Sequence, residues 1–154
     1  DEKALPGGGQ DAHSERNVVA RARGVAGVLG ASAPAPLGGE WLFVRAEEDR
    51  GREVIGALDE AGALARWTVV VSGEVDVEDW DACLFRWCAN SDPGRDRFVS
   101  RDGACVAFDA TWKKPAGASE ATHGHPVRAF PEILEMDEAT RSLVTKRWGE
   151  YGAG

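Results

Sequence analysis

Residues 67–71, Trp-Thr-Val-Val-Val, constrain the fold of this chain more than any other stretch. Side chains branched at Cβ crowd a helical turn and fit a pleated strand, and a run that is apolar at successive positions fits a strand covered on both faces. Such a strand needs a layer on each side, and the flanking sequence supplies candidates for both. Upstream, residues 47–62 set Val54, Ile55, Leu58 and Ala61 on one helical face, with Asp49 as the expected N-cap and Gly62 as the stop. Downstream, Trp80, Cys83, Leu84, Trp87 and Cys88 recur at helical spacing, which predicts a core-facing stripe on a helix that opens at Asp76 and stops at Pro93-Gly94. Its solvent side carries Glu78, Asp81 and Arg86.

Four further strands are expected. Val28–Ala33 and Trp41–Ala46 are apolar runs parted by a Pro- and Gly-rich loop, and Phe98–Ser100 and Ala104–Phe108 flank an Arg101-Asp102-Gly103 turn. The order strand-strand-helix-strand-helix-strand-strand predicts an α/β fold with a mixed sheet flanked by helices. Residues 113–132 are rich in Pro, Gly, Ala and His without periodicity, and read as a long irregular arm of the kind that wraps a partner. The arm leads to a C-terminal amphipathic helix, in which Met136 precedes an N-cap at Asp137 and Ala139, Leu143, Val144, Arg147 and Trp148 follow. Residues 1–16 are expected to form a flexible lead and residues 17–152 the domain, with fraying at Gly7–Gly9 and Gly152–Gly154.

The 154 residues suffice for one well-buried core. A net charge of −8 opposes binding to nucleic acid or to an anionic membrane. No apolar run approaches the roughly 20 residues that span a bilayer, and the N-terminus has no signal pattern, so a cytoplasmic protein is expected. The first residue is Asp rather than Met, which leaves a trimmed chain and a processing product both open. The three cysteines are read as reduced, buried thiols, since Cys83 and Cys88 lie too far apart around one helix for an easy disulfide and Cys105 falls in a strand. No pairs at zinc-ligand spacing occur. Asp76, Glu78, Asp79 and Asp81 crowd a helix start, where capping and the helix dipole account for them better than a metal does. His123 and His125 lack a third ligand nearby and read as a solvated loop. Trp80, Trp87 and Trp148 belong to helical apolar faces and are assigned to the core.

Three patterns in order carry a family resemblance. A hydrophobic strand and turn lead to Asp76, then Asp79 with Trp80, and the following helix ends in Asp92, Pro93, Arg95 and Asp96. Asp109, Ala110, Thr111, Lys113 and Pro115 form the second pattern, and Met136-Asp137 with Arg147-Trp148 and Glu150-Tyr151-Gly152 the third. Together they resemble the C-terminal domain of the UbiD-type decarboxylases over residues 21–152. The resemblance implies a carboxy-lyase acting on aromatic or α,β-unsaturated acids with prenylated FMN, a divalent metal and potassium. It assigns these groups and the catalytic residues to a flavin-binding domain outside this chain. The chain is therefore expected to be a small subunit, separately encoded or cleaved, that joins a larger flavin-binding subunit in a hetero-oligomer. Its expected role is assembly and active-site closure, with no activity alone. A binding or regulatory module that kept the fold is the competing expectation.

Departures from the family pattern concentrate near expected contacts. Ser72 and Gly73 stand where acidic residues are common, Ala89 and Asn90 where Thr-Arg is usual, and the connection from Asp96 to Asp109 is short. Trp112 replaces a residue usually polar in relatives, so Trp112, Asn90 and Phe130 are the interface candidates, with intramolecular packing the alternative for Trp112. Arg66 matches a basic position in many relatives and is a candidate for a cofactor phosphate. Strand alternation turns Asp109, Thr111 and Lys113 to one side, where Lys113 either pairs with a carboxylate or contacts a phosphate.

Overall fold

The computed structural model of the chain describes residues 11–117, 126–127 and 136–151. The β-branched run becomes β3 (Trp67–Ser72), the middle strand of a five-stranded mixed sheet ordered β1-β2-β3-β5-β4. Its neighbours β2 (Trp41–Ala46) and β5 (Val106–Ala110) run parallel to it, with Trp41 and Val106 both in register with Trp67. The short strands β1 (Gly30–Ser32) and β4 (Arg97–Val99) close the edges in antiparallel sense.

Alternation along the strands feeds two cores, as the double-sided burial of β3 demands. Leu42, Val44, Ala46, Val70 and Ala107 face one layer, where α1 (Asp11–Arg23) contributes Val18 and Ala22, and α2 (Gly51–Glu60) contributes Val54, Ile55 and Leu58. Phe43, Val69, Val71 and Ala110 face the other, covered by α3 (Trp80–Asn90) through Cys83 and the half-buried Trp80, Leu84 and Trp87. At the amino ends of the parallel strands, Trp41 lies 5.9 Å from Trp67 and 5.6 Å from Trp87 between ring centroids, and Trp87 lies 5.0 Å from Phe108.

Several local expectations are corrected. Helix α1 was not anticipated, because its sequence is mostly polar; among its described side chains, Val18 and Ala22 belong to the buried core. Asp49 is not the cap of α2: it sits in the left-handed region at φ 57°, and the helix begins at Gly51 after Arg50. Gly62 does end the helix, at φ 59°. Helix α3 opens at Trp80 rather than Asp76, with the Asp79 carboxylate accepting the Ala82 amide at 3.0 Å. Asp76 shapes the preceding turn instead, accepting the Glu78 amide at 3.0 Å, because Val75 and Val77 are both buried and two successive alternate residues cannot face inward from a helix. A four-residue helix, α4 (Pro93–Asp96), follows, capped by Asp92.

The helix α5 (Glu138–Lys146) forms as expected, with Asp137 accepting the Thr140 amide at 2.7 Å, and a 3₁₀ turn follows over Trp148–Tyr151. Trp148 is 55% exposed, not part of the core, since no residue of α5 or of that turn is buried. Phe130, His123 and His125 lie outside the described residues.

The thiols also divide. Cys83 is buried, Cys105 is half-buried, and Cys88 is exposed, because the inward stripe of α3 is narrower than the apolar pattern suggested. Burial, reinforced by the Asp79 and Asp76 charges, pushes the Cys83 thiol up to about 12. Iodoacetamide under native conditions should therefore modify Cys88 rapidly and leave Cys83 untouched until the chain unfolds, which peptide mass spectrometry reads directly. Stability should also fall as pH rises from about 9 toward 12. In that window the unfolded Cys83 thiol ionises while the folded one stays protonated, and a pH series of urea melts measures the loss.

Candidate functional site at the carboxyl edge of the sheet

The parallel strands end together, and the loops leaving them converge on a buried charge cluster built from two separate sequence patterns. Asp96 and Arg95 come from α4, and Asp109, Thr111 and Lys113 come from the end of β5. All five are at most 5% exposed. Arg95 grips Asp96 in a two-point ion pair, Nε to Oδ1 at 2.8 Å and Nη2 to Oδ2 at 2.7 Å. The Asp96 hydrogen bond raises the Arg95 pKa above its usual value, outweighing the lowering effect of burial.

Lys113 stands at the centre, with its Nζ 3.6 Å from Asp96 Oδ2 and 3.4 Å from Asp109 Oδ1. The ammonium also donates to the backbone carbonyls of Asp109 at 2.7 Å, Thr111 at 3.1 Å and Asn90 at 3.4 Å. Two arginine and lysine charges thus meet two carboxylates, and the cluster is electrically balanced inside the protein. Asp109 Oδ1 accepts the Thr111 amide at 2.9 Å and hydroxyl at 2.6 Å, which fixes the chain reversal after β5. The other oxygen, Oδ2, is buried without a hydrogen-bond partner among the described residues. This carboxylate lies against Gly51, whose missing side chain leaves it the space, at the amino end of α2 where the helix dipole favours negative charge.

The loops around the cluster are cross-tied. The Asp49 amide donates to the Trp112 carbonyl at 2.9 Å, and the Trp112 amide donates to the Ser72 hydroxyl at 2.6 Å. Lys114 pairs with Glu48 at 3.3 Å, and Arg52 donates to the Arg95 carbonyl at 3.2 Å. Arg95 reaches outward as well, donating to the Pro126 carbonyl at 3.1 Å beside the buried Val127. Asp49 and Ala116, both in the left-handed region at φ 57°, mark the two loops that meet here.

The residues singled out from sequence are thereby located. Of the two roles open to Lys113, the geometry shows the carboxylate pairing, and its donors are committed to oxygens of this chain. Asn90 is 3% exposed and donates to the Ala110 carbonyl at 3.2 Å, while Trp112 is half-buried within the cross-tied loops. Arg66 lies at the opposite end of the sheet, exposed and paired with Glu40 at 3.0 Å. The two basic candidates therefore lie at opposite ends of the sheet, each paired with carboxylate groups of this chain. Sequence reasoning overlooked Arg95 and Asp96 as a buried pair and Ser72 as a loop tie. The signal for the former was two adjacent opposite charges inside a recurring motif.

The family model described as the 3-octaprenyl-4-hydroxybenzoate carboxy-lyase C-terminal domain matches residues 14–123. Among solved structures, the vanillic acid decarboxylase of Sedimentibacter hydroxybenzoicus in open form shares the fold at a TM-score of 0.55 and 13% identity, with 89% of this chain aligned to 32% of that one. The UbiD-class enzyme HmfF of Pelotomaculum thermopropionicum in complex with FMN aligns at a TM-score of 0.53 and 19% identity, over 92% of this chain and 33% of the other. The chain thus spans about a third of the length of the structures it matches.

Two substitutions test the cluster by equilibrium denaturation. Lys113→Met strands Asp96 and Asp109 without their shared cation and should cost about 3–5 kcal/mol. Gly51→Ala should destabilise by about 1–3 kcal/mol through overlap with the Asp109 carboxylate, although alanine is the better helix former; a neutral or stabilising result would show that the contact yields.

Proposed function

Because the chain belongs to the family of 3-octaprenyl-4-hydroxybenzoate carboxy-lyase C-terminal domains, we propose that it is the small C-terminal-domain subunit of a UbiD-type decarboxylase. A larger cytoplasmic partner carries prenylated FMN with its divalent metal and potassium. This chain supplies interface area and one wall of the closed active site. The substrate class is an aromatic or α,β-unsaturated carboxylic acid, and the reaction is carboxy-lyase chemistry with release of carbon dioxide.

The observation that carries this reading is the family match over residues 14–123. The charge cluster supports it from the other side, because its groups are engaged in holding the loops together and act on a partner by shaping a surface. Phe85 on α3 is 67% exposed, a large apolar side chain suited to burial against another chain. Another Sedimentibacter hydroxybenzoicus structure, of ShVdcCD, contains a truncated ShVdcD. No helix among the described residues is long and apolar enough to cross a membrane. Trp112, half-buried at the carboxyl edge, and Phe130 are the aromatic residues assigned to the partner contact. Asn90 acts on that edge by holding the Ala110 carbonyl beneath it.

A non-catalytic binding or regulatory module is the second reading. It is favoured by Ser72 and Asn90, which stand where the family resemblance implies charged residues and are here bonded within the chain.

Affinity purification of the chain from its source cell, followed by native mass spectrometry, separates the two. The expected result is a hetero-oligomer with a larger chain, prenylated-flavin absorbance, and carbon dioxide release from an aromatic or unsaturated acid by the complex and not by this chain alone. Recovery of homo-oligomers only, without a flavin-containing subunit, would refute the decarboxylase-subunit reading.

A further inference from the structure

We infer that the cleft beside β1, at the carboxyl edge of the sheet, binds a small aliphatic α-amino acid, recognised through both its carboxylate and its ammonium group. The topology opens this cleft. The adjacent parallel strands β2 and β3 lead to helices on opposite faces of the sheet, α2 on one and α3 on the other. In open α/β sheets, ligands bind outside the carboxyl ends of strands whose connections diverge in this way. A cavity of about 490 Å³ lies there, within the roughly 300–1,000 Å³ typical of small-molecule sites. Its walls come from the end of α1 at Arg23, the start of β1, the end of β2 at Arg45, and the turn after β3 from Asp76 to Glu78.

Arg45 supplies the first charge. Gly30 leaves room for its guanidinium, whose Nε and Nη2 lie 3.4 Å from where a Cβ would stand. Nη2 donates to the Leu29 carbonyl at 3.1 Å, while Nε is buried without a hydrogen-bond partner among the described residues. No carboxylate among the described residues pairs with this half-buried cation. A guanidinium partly withdrawn from water and left without a counter-charge favours an incoming carboxylate.

Asp76 supplies the second. Its Oδ1 accepts the Glu78 amide at 3.0 Å, and no cation among the described residues pairs with its carboxylate. The other two charges of the cleft are already answered. Glu78 accepts the Ser32 hydroxyl at 2.9 Å and lies 3.9 Å from Arg23, whose guanidinium holds the Ala31 carbonyl at 3.1 and 2.7 Å. One cation and one carboxylate thus stand open in the same cavity. A plain anion would meet two carboxylates and a chain of net charge −8, and a plain cation would meet two guanidinium groups, whereas a zwitterion answers both open charges and adds no net charge. Val28, Leu29 and the buried Val77 offer aliphatic walls to its side chain. The inference goes beyond the flavin-subunit reading and does not rest on it.

Titration calorimetry of the purified full chain with L-leucine, joined to amide chemical-shift mapping, tests it. Leucine should bind saturably, with the shifts gathered at Leu29, Gly30, Ala31, Val77 and Glu78. Isocaproate and isoamylamine, which keep the leucine side chain and one charge each, should bind at least about tenfold more weakly. Arg45→Met and Asp76→Asn should each weaken leucine binding by about tenfold or more with circular dichroism unchanged, since asparagine keeps the oxygen that accepts the Glu78 amide. Should Arg45→Met fail to fold, the analogue series on the unaltered chain still decides. Absence of saturable leucine binding, equal binding of either single-charge analogue, shifts that map outside the cleft, or an affinity indifferent to both substitutions would each overturn the proposal.

Discussion

A buried ammonium group must have its charge answered within a few ångströms, and Lys113 meets that demand with oxygens from three parts of the chain. Its partners include the end of α3 at Asn90, the short helix α4 at Asp96, and the end of β5 at Asp109 and Thr111. None of these elements can shift without leaving a charge or a carbonyl unanswered in a low-dielectric interior, where the penalty is several kcal/mol. The sheet is held by hydrophobic burial, but the relative placement of its loops is held by this cation together with the Ser72–Trp112 and Asp49–Trp112 ties around it. Arg95 extends the constraint to Pro126, whose carbonyl it holds.

The sheet and its two layers were legible in the sequence because alternation and β-branching act locally and strongly. Val69, Val70 and Val71 admit few conformations, and the helical spacing from Val54 to Leu58 is similarly direct. What escaped reading depends on pairing across long sequence distances. Nothing near Ser72 announces that its hydroxyl receives the Trp112 amide forty residues later, and nothing near Lys113 announces three carbonyls around its tip. Asp49 carried every mark of a helix cap, yet the loop needed a left-handed residue for its own hydrogen bond to the Trp112 carbonyl. Trp148 failed for a different reason. Periodicity identifies an apolar face, and it cannot say whether that face meets the same chain or another.

The small polar residues at the carboxyl edge share one role. Ser72 and Asn90 are both buried, the first accepting from the backbone of the loop after β5 and the second donating to the backbone of β5. Their small size lets the loops approach closely enough for these bonds. Compactness at this edge and apolar exposure on α3 and α5 are complementary properties: the chain is tight where its own segments meet and open where contact with other molecules is available.

The position of β5 between β3 and β4 bears on how the chain comes to be folded. As the chain emerges from synthesis, β2 and β3 can pair through a local crossover, but β3 presents a naked valine-rich rim until residues 106–110 arrive to zip into it. Strand insertion of this type requires distant contacts and is slow, and an uncovered parallel rim invites pairing with the wrong chain. The Asp109-Lys113 reversal follows immediately on the inserted strand, so the latch forms within a few residues of the element it secures. The interval between the synthesis of β3 and the arrival of that latch is the nascent chain's period of greatest exposure to aggregation.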